Sequence, residues 1–392
     1  SVKSDVNGAQ YISGFAGALE IVASSFNTCF HKGTITASGD YAGGIVGVSK
    51  GGCIEDMESC GHFGDIQGLD FVGGVIGAMT NTTLSPTLST YTVRTSTSSG
   101  SGTLLLTVKE SMSNGTSTTV AVNNCTSIGN IKGGDFVGGI IGSDVPSNGY
   151  TADATSSVVH NINTKYLFKD GIYTGKYSRD GYFTFYHYSY KRNIVSCSLT
   201  NNSYSGTIRG ENNVGGLCGY KSGGNVFNNY SYANIYGATN IGGIIGQIDS
   251  NVEGSSYNET TMKSNVANNS VISATSMNVG RVYGVIDETY TIVGALGSSE
   301  TNRSLAQTRV ILSGVVQDID DDLQNGTSIG SSALRLKANY VSWGWNFDEN
   351  WNILDTECFP YKKYQSAPPI IESALVSQAT SISGKSVDGE TS

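Results

Sequence analysis

The sequence GDYAGGIVG occupies residues 39–47, and its repetition along the chain decides the fold. Four close copies follow it: LDFVGGVIG from Leu69, GDFVGGIIG from Gly134, ENNVGGLCG from Glu211 and ATNIGGIIG from Ala238. Degenerate copies bracket the set, AQYISGFAG from Ala9 and SMNVGRVYG from Ser276. Atypical end copies are expected of a stacked array, because an end unit has a neighbour on one side only.

Two further elements accompany the glycine repeat. One precedes most copies, as NTCFHKGTITA from Asn27, SCGHFGDIQG from Ser59, NCTSIGNIKG from Asn124, NSYSGTIRG from Asn202 and NYSYANIYG from Asn229. A weaker one follows some copies, as GGCIEDM from Gly51 and GGNVFNN from Gly223. Each unit therefore contains three short β-prone pieces separated by Gly, Asn and Asp turn signals, which predicts one strand per face of a coil.

The spacing of the repeat matches one turn of such a coil. The second glycines of the pairs lie 30 residues apart from Gly14 to Gly44 and again to Gly74, and 27 apart from Gly216 to Gly243. A coil of this length cannot bury its few aliphatic side chains alone, but coils stacked about 4.8 Å apart build continuous columns of Ile, Val and Leu. Glycine suits the narrow coil because there is little room inside it for Cβ atoms.

We therefore predict an all-β fold, a parallel β-helix or β-solenoid of about seven stacked coils, with β-hairpin insertions and an aromatic C-terminal cap. The array covers residues 1–285, with insertions at 80–122 and 143–196. Residues 286–366 form the cap, which contains all three Trp of the chain. Residues 367–392 are Ser/Thr-rich and typical of a linker or tail.

The composition excludes several classes of protein. The 392 residues include 51 Gly without a three-residue period, which rules out collagen. The formal net charge is −9, so no field attracts nucleic acid or an anionic membrane surface. No stretch approaches the ~20 apolar residues of a membrane span, and none is expected in this segment.

A Cys-x-His pair occurs twice, 31 residues apart and so at equivalent places on consecutive coils. Residues two apart on a strand share a face, so stacking should bring the two Cys and two His together. Three interpretations stay open: a ladder of free thiols, a Cys29–Cys60 disulfide, or tetrahedral zinc held by Cys29, His31, Cys60 and His62. The following coil carries Cys125-x-Ser127, which favours the ladder.

The insertions carry the other candidate site. Asn114-Gly115 predicts a hairpin in the first, while Asp170-Gly171 and Asp180-Gly181 predict a three-stranded meander in the second. The second is rich in aromatic residues interleaved with Lys and Arg, and its candidate ligand-binding residues are Tyr173, Tyr177, Tyr182, Phe183, Phe185, Tyr186, Tyr188 and Tyr190. Such a surface suits glycan stacking or protein contact; the competing interpretation is a small satellite core packed on the solenoid.

The sequence does not favour an enzyme. Polysaccharide hydrolysis needs paired carboxylates or a metal with a base. The best acidic cluster, Asp318, Asp320, Asp321 and Asp322, lies outside the regular array and is typical of a solvated loop rather than a Ca²⁺ loop. Neither G-x-S-x-G nor H-E-x-x-H occurs. No catalytic residue and no cofactor is predicted.

The repeat resembles the GLUG-repeat family of secreted and cell-surface proteins, some of them attached to adhesins or surface proteases. The Gly-Gly-aliphatic cores and the Asn-led elements before them carry the resemblance. The segment GWNFDENWNILDTECFPYKKY from Gly344 also resembles the aromatic closing segment that often follows such repeats. The resemblance implies a β-solenoid on a cell surface and no established catalytic residues.

The predicted function is non-enzymatic: an extracellular or cell-surface binding and scaffolding protein, adhesin-like, whose partner is a glycan or another surface protein. One alternative is a structural subunit that self-associates into an extracellular filament. A second alternative is a carbohydrate-active β-helix enzyme.

Overall fold

A computed structural model describes residues 1–20, 24–50, 53–80, 82–83, 87–94, 103–109, 111–144, 155–161, 166–169, 173–176, 182–248, 260–286 and 301–366. Side chains are described in these ranges except in 82–118 and 155–196. This part of the chain is nearly all β, as predicted. Its helices are a 3₁₀ turn, Ala333–Arg335, and one short α-helix, Lys337–Ser342.

Three stacked sheets form the walls of a solenoid. Sheet A takes up to three successive pieces of each coil: Val2–Lys3, Val6–Gly8, Ile12–Ser13, Phe30–Lys32, Ile35–Ala37, Ala42–Gly43, Gly61–Phe63, Ile66–Gln67, Val72–Gly73, Thr126–Ile128, Ile131–Lys132, Val137–Gly138, Ser203–Arg209, Asn212–Gly215, Tyr230–Gly242, Val266–Ala267, Val271–Gly280, Arg303–Leu305, Arg309–Leu312, Val315–Val316 and Thr327–Ile329. Sheet B takes the next piece: Ala16–Leu19, Val46–Lys50, Ile76–Thr80, Ile141–Ser143, Cys218–Lys221, Ile245–Ile248 and Tyr283–Ile286.

Sheet C completes each coil and also receives strands from the insertions. Its strands are Ser24–Asn27, Ile54–Glu58, Thr82–Thr83, Thr87–Arg94, Ser111–Asn123, Tyr182–Thr200, Gly224–Phe227 and Thr260–Lys263. Outside the three walls lie the two-stranded sheets Thr103–Lys109 with Thr155–Asn161, Tyr166–Lys169 with Tyr173–Lys176, and Trp351–Asn352 with Tyr361–Lys362.

Successive coils pair in parallel and in register, which turns the core into columns of like residues. Ile35 opposes Ile66, and Ile131, Ile208 and Ile235 continue the same column. Each is at most 1% exposed. A fully buried Ile contributes roughly 1.5–3 kcal/mol relative to an exposed one, so stability comes from stacking neighbours. The predicted parallel β-solenoid is confirmed.

The second glycine of each pair lies directly against an inward side chain of the next coil. A Cβ on Gly44 would overlap the His62 side chain and the Gly74 carbonyl oxygen. A Cβ on Gly139 would overlap the Tyr204 ring and the Gly216 carbonyl oxygen. The Gly-Gly motif therefore serves close packing between coils, as the sequence predicts.

The residue three before each of these glycines takes a left-handed backbone conformation. Tyr41, Phe71 and Phe136 have φ of 67°, 58° and 59°. This conformation costs a non-glycine residue roughly 1–2 kcal/mol. The rings stack with centroids 4.9 Å and 4.8 Å apart, which offsets part of that cost. Later coils have Asn213 and Asn240 at this turn, a residue type that adopts the conformation more readily.

The insertions differ in part from prediction. Tyr166–Lys169 and Tyr173–Lys176 form the antiparallel pair expected around Asp170-Gly171. Asn114-Gly115 is not a hairpin turn: it lies within Ser111–Asn123, which runs parallel to Tyr182–Thr200 with a bulge between Asn114 and Ser117. The bulge adds one residue to this strand, which allows the turn-prone dipeptide to remain within it. Strand Tyr182–Thr200 pairs with Thr87–Arg94 of the first insertion instead of completing a meander.

The array extends beyond residue 285. Arg303–Leu305 and Arg309–Leu312 add to sheet A, and Thr327–Ile329 pairs with Arg303–Leu305. Sheet A then ends in an antiparallel return, Val315–Val316. The backbone carbonyl of Gln324 accepts hydrogen bonds from the amides of Val282 and Tyr283, so this partial coil covers the end of sheet B.

Residues 330–366, here called the C-terminal strap, run back along the outside of sheet A. Trp345 Nε1 donates to Ser264 O at 2.9 Å, and Lys362 donates to Asn201 O. Tyr364 donates its hydroxyl to Asn124 O at 2.9 Å, and its ring lies 5.2 Å from that of Phe30. The predicted aromatic region therefore does more than close one end, because it crosses most of the stack.

Candidate functional site

The Cys residues of the two Cys-x-His pairs form part of one column. Cys29, Cys60 and Cys125 are free thiols on consecutive coils, and the Cys29 amide donates to Cys60 Sγ at 3.4 Å. The fully buried Cys125 has its pKa raised well above the ordinary value, mainly by burial. Burial also raises the pKa of Cys29, whereas a hydrogen bond with the Cys125 side chain lowers the pKa of Cys60. The structure corresponds to the free thiol ladder.

The two His residues form a second column. The His31 and His62 rings stack 5.1 Å apart at 9°, with their Nδ1 atoms 3.1 Å apart. His31 Nε2 lies 3.4 Å from Ser4 Oγ, whereas His62 Nε2 is buried without a hydrogen-bond partner. Burial, together with the charge of His31, lowers the pKa of His62 from 6.5 to about 4. Burial lowers the pKa of His31 as well, so both imidazoles are neutral at physiological pH.

These four residues are not gathered into the tetrahedral set that the zinc interpretation needs. Neighbouring coils are about 4.8 Å apart, while residues two apart along a strand are separated by roughly 6.6 Å. Each Cys therefore lies closer to the Cys of the next coil than to the His on its own strand. Among the described side chains, no group of three or more His, Cys, Asp or Glu is placed to hold a metal ion.

Sequence reasoning missed the continuation of the Cys column as an asparagine ladder. Asn202 Oδ1 accepts from the Cys125 amide at 2.9 Å, and Asn229 Oδ1 accepts from the Asn202 amide at 2.8 Å. Asn265 and Asn302 repeat the pattern on the following coils. Aligning the Asn-led elements on Cys125 rather than on their first residue would have placed these Asn in the column. The ladder satisfies buried backbone groups and so has a structural role.

The aromatic candidates of the second insertion are described only in part. Tyr173 lies in the strand Tyr173–Lys176. The strand Tyr182–Thr200 contains Tyr182, Phe183, Phe185, Tyr186, Tyr188 and Tyr190. Their side chains, and Tyr177 altogether, lie outside the described part of the chain. Whether they form a ligand surface or a satellite core stays a prediction.

A groove crosses four consecutive coils on the outside of sheet A, and we call it the axial groove. Its volume is about 500 Å³. Its lining side chains are mostly polar, with three buried Ile behind them, and comprise Thr34, Ile35, Thr36, Asp65, Ile66, Gln67, Asn130, Ile131, Lys132, Thr207 and Arg209. Equivalent outward positions of successive coils supply the polar side chains, because strands in register place every second residue on the same outer face.

The polar groups of the axial groove are held in place by the scaffold. Asp65 Oδ1 accepts a hydrogen bond from the backbone amide of Asn130 at 2.7 Å, which connects one coil to the next. The Arg209 guanidinium lies over the Tyr236 ring, 4.3 Å from its centroid. Lys132 and Arg209 oppose each other on consecutive coils and are exposed. The groove therefore offers hydroxyl, amide and cationic groups to a ligand.

Two carboxylates of the acidic cluster near the end of the array, Asp321 and Asp322, form contacts within the fold. Asp321 pairs with Arg281 at 3.0 Å and accepts from the Ser328 amide. Asp322 accepts from the Asn325 amide at 2.7 Å. Both carboxylates therefore hold the last partial coil in place.

Comparison with known proteins identifies no relative: no protein-family model, no curated protein and no solved structure matches the chain. The resemblance to the GLUG-repeat family stays a prediction. In the described ranges, no helix is long and apolar enough to cross a membrane.

Proposed function

We propose that this chain is a non-enzymatic binding and scaffolding protein of the extracellular space or cell surface, adhesin-like, which holds a glycan chain in the axial groove. The observation that carries the proposal is the groove itself, which has a volume of about 500 Å³ and is lined mostly by polar residues of four successive coils. This volume lies within the usual range for ligand sites. Its Thr, Gln and Asn side chains match the alternating donors and acceptors of sugar hydroxyls.

An extended ligand suits the groove better than a compact one. The lining repeats at the strand spacing of about 4.8 Å, so a chain lying along the axis meets similar groups at each step. The scaffold is pre-organised, because its backbone is held by in-register pairing on both sides of each coil. Little ordering of the protein is then needed on binding.

The carbohydrate-active alternative has less support. Glycoside hydrolysis uses two carboxyl groups about 5–10 Å apart. Asp65 is the single carboxylate among the residues that line the groove, and the Asn130 amide already occupies one of its oxygens. An enzyme would release oligosaccharides from a bound polysaccharide, which chromatography of the reaction mixture detects.

A steric block tests the proposal. Asn130→Trp places a large side chain in the axial groove, and Glu55→Trp places the same side chain at an exposed position of sheet C as the matched control. On a glycan array the wild type and Glu55→Trp should retain the same ligands, and Asn130→Trp should lose them. Equal binding by all three proteins would contradict the groove as the site.

The filament subunit is the second proposal, favoured by the first described coil. Val2, Tyr11 and Phe15 there are 38%, 37% and 40% exposed. Stacking on another coil would cover them. Size-exclusion chromatography with negative-stain imaging distinguishes fibres from monomers, and a purely monomeric protein would exclude this proposal.

A further inference from the structure

We infer that the axial groove selects an anionic polysaccharide, carboxylated or sulfated, through Lys132 and Arg209. This inference rests on the proposed function. The two cationic side chains oppose each other on neighbouring strands, so their backbones are about 4.8 Å apart. Two cationic residues therefore follow each other along the groove, where an anionic chain meets both.

The pair has no anionic partner within the described part of the protein: no ion pair joins Lys132 or Arg209 to a carboxylate there. Asp65 is the one acidic lining residue, and the Asn130 amide binds its Oδ1. The groove therefore carries two positive charges and one negative charge. This local excess stands out in a chain whose net charge is −9.

Arg209 is prepared for this contact. Its guanidinium lies over the Tyr236 ring at 4.3 Å, which restricts the orientation of a side chain that is otherwise mobile. A planar guanidinium held in this way can donate two hydrogen bonds to a carboxylate or sulfate, and the Lys132 ammonium adds a third charge-assisted bond. Thr36, Gln67 and Asn130 would bind the neutral hydroxyls of the sugars that lie toward the earlier coils of the groove.

Long-range attraction cannot account for such selectivity. The overall negative charge of the protein repels a polyanion, so a preference for one has to arise from contacts within the groove. Added salt should weaken the preference, because screening at 0.1 M acts over about 10 Å and these side chains are exposed.

Two pairs of polysaccharides that differ only in charge test the inference. Calorimetry compares polygalacturonate with its full methyl ester, and dextran sulfate with dextran, at 50 and 200 mM NaCl. The protein variant is Lys132→Gln with Arg209→Gln. The matched control is Lys3→Gln with Lys32→Gln, because these two exposed lysines also oppose each other on consecutive coils but lie outside the groove.

The wild type and the Lys3/Lys32 control should bind at least one anionic chain at least ten times more tightly than its neutral counterpart. The first polysaccharide pair detects carboxylate recognition and the second detects sulfate recognition. The Lys132/Arg209 variant should lose this preference while keeping its thermal stability and its affinity for the neutral chain. A preference that survives in the variant overturns the inference.

Failure of the inference and failure of the proposed function give different results. If neutral and anionic chains bind the wild type equally and Asn130→Trp abolishes both, the groove binds glycans without charge selection, and only the inference falls. If no polysaccharide binds the wild type, both proposals fall.

Discussion

Acidification should destabilise the solenoid through one buried side chain, His62. Burial and the neighbouring His31 lower the pKa of His62 from 6.5 to about 4 in the folded protein. The unfolded chain therefore takes up a proton before the folded chain does. The stability associated with neutral His62 is present above pH 6.5 and is lost as the pH falls toward 4. A shift of this size corresponds to about 3 kcal/mol at 1.4 kcal/mol per pKa unit.

Urea unfolding followed by far-UV circular dichroism at pH 7 and pH 4.5 measures this loss. The test variant is His62→Gln, which keeps a polar side chain of similar size but cannot take up a proton. The loss of unfolding free energy between the two pH values should be about 2–3 kcal/mol smaller in the variant than in the wild type. Carboxylates that titrate in the same range affect both proteins alike.

Ser127→Ala is the control, because Ser127 is the buried residue that opposes His62 on the next coil. It does not titrate in this range, so its removal should leave the pH dependence of the wild type unchanged, whatever it does to stability at pH 7. Equal losses of stability in the wild type and His62→Gln would refute the reasoning, since the burial of a neutral imidazole would then have no energetic consequence.

Three further substitutions test the packing. Gly44→Val should cost at least about 2 kcal/mol in urea unfolding because its side chain overlaps the next coil, whereas Gly330→Ala, with nothing within 4 Å of the new Cβ, should cost little. Asn229→Ala should cost about 2–4 kcal/mol by leaving two buried backbone groups unpaired, and the exposed Asn225→Ala should be close to neutral. Trp345→Ala should cost about 3–5 kcal/mol, and an unchanged melting temperature would exclude a packing role for the strap.

The solenoid itself could be predicted because its determinants are local and repeated. Each Gly-Gly pair marks a place where a Cβ would overlap the next coil, and the same constraint applies again about 30 residues later. Gly44 and Gly139 both lie in this position, although an insertion separates their coils. The last partial coil, residues 301–329, escaped prediction because it lacks the Gly-Gly pair.

Local signals were less reliable where long strands compete with them. Asn114-Gly115 is a strong hairpin dipeptide, yet Ser111–Asn123 passes through it and pairs with Tyr182–Thr200. Many ladder hydrogen bonds outweigh the preference of one turn. The Cys-x-His pairs are a second example. The prediction correctly placed them at equivalent positions of consecutive coils, but distances between coils determine that Cys29 contacts Cys60 and that His31 contacts His62.

The strap explains why the axial groove is open while another part of sheet A is not. Tyr364 contacts Asn124 across 240 positions of the sequence, a separation that no repeat pattern reports. Beneath the strap, the outward residues Gly61, Thr126 and Ser203 are small, and each is less than 9% exposed. At the groove, on the same sheet, the outward Lys132 and Arg209 remain exposed. An exposed parallel sheet face tends to associate with other surfaces. Among the described residues of sheet A, the chain's own aromatic residues therefore cover one outward column, while the polar, charged column at the axial groove stays exposed.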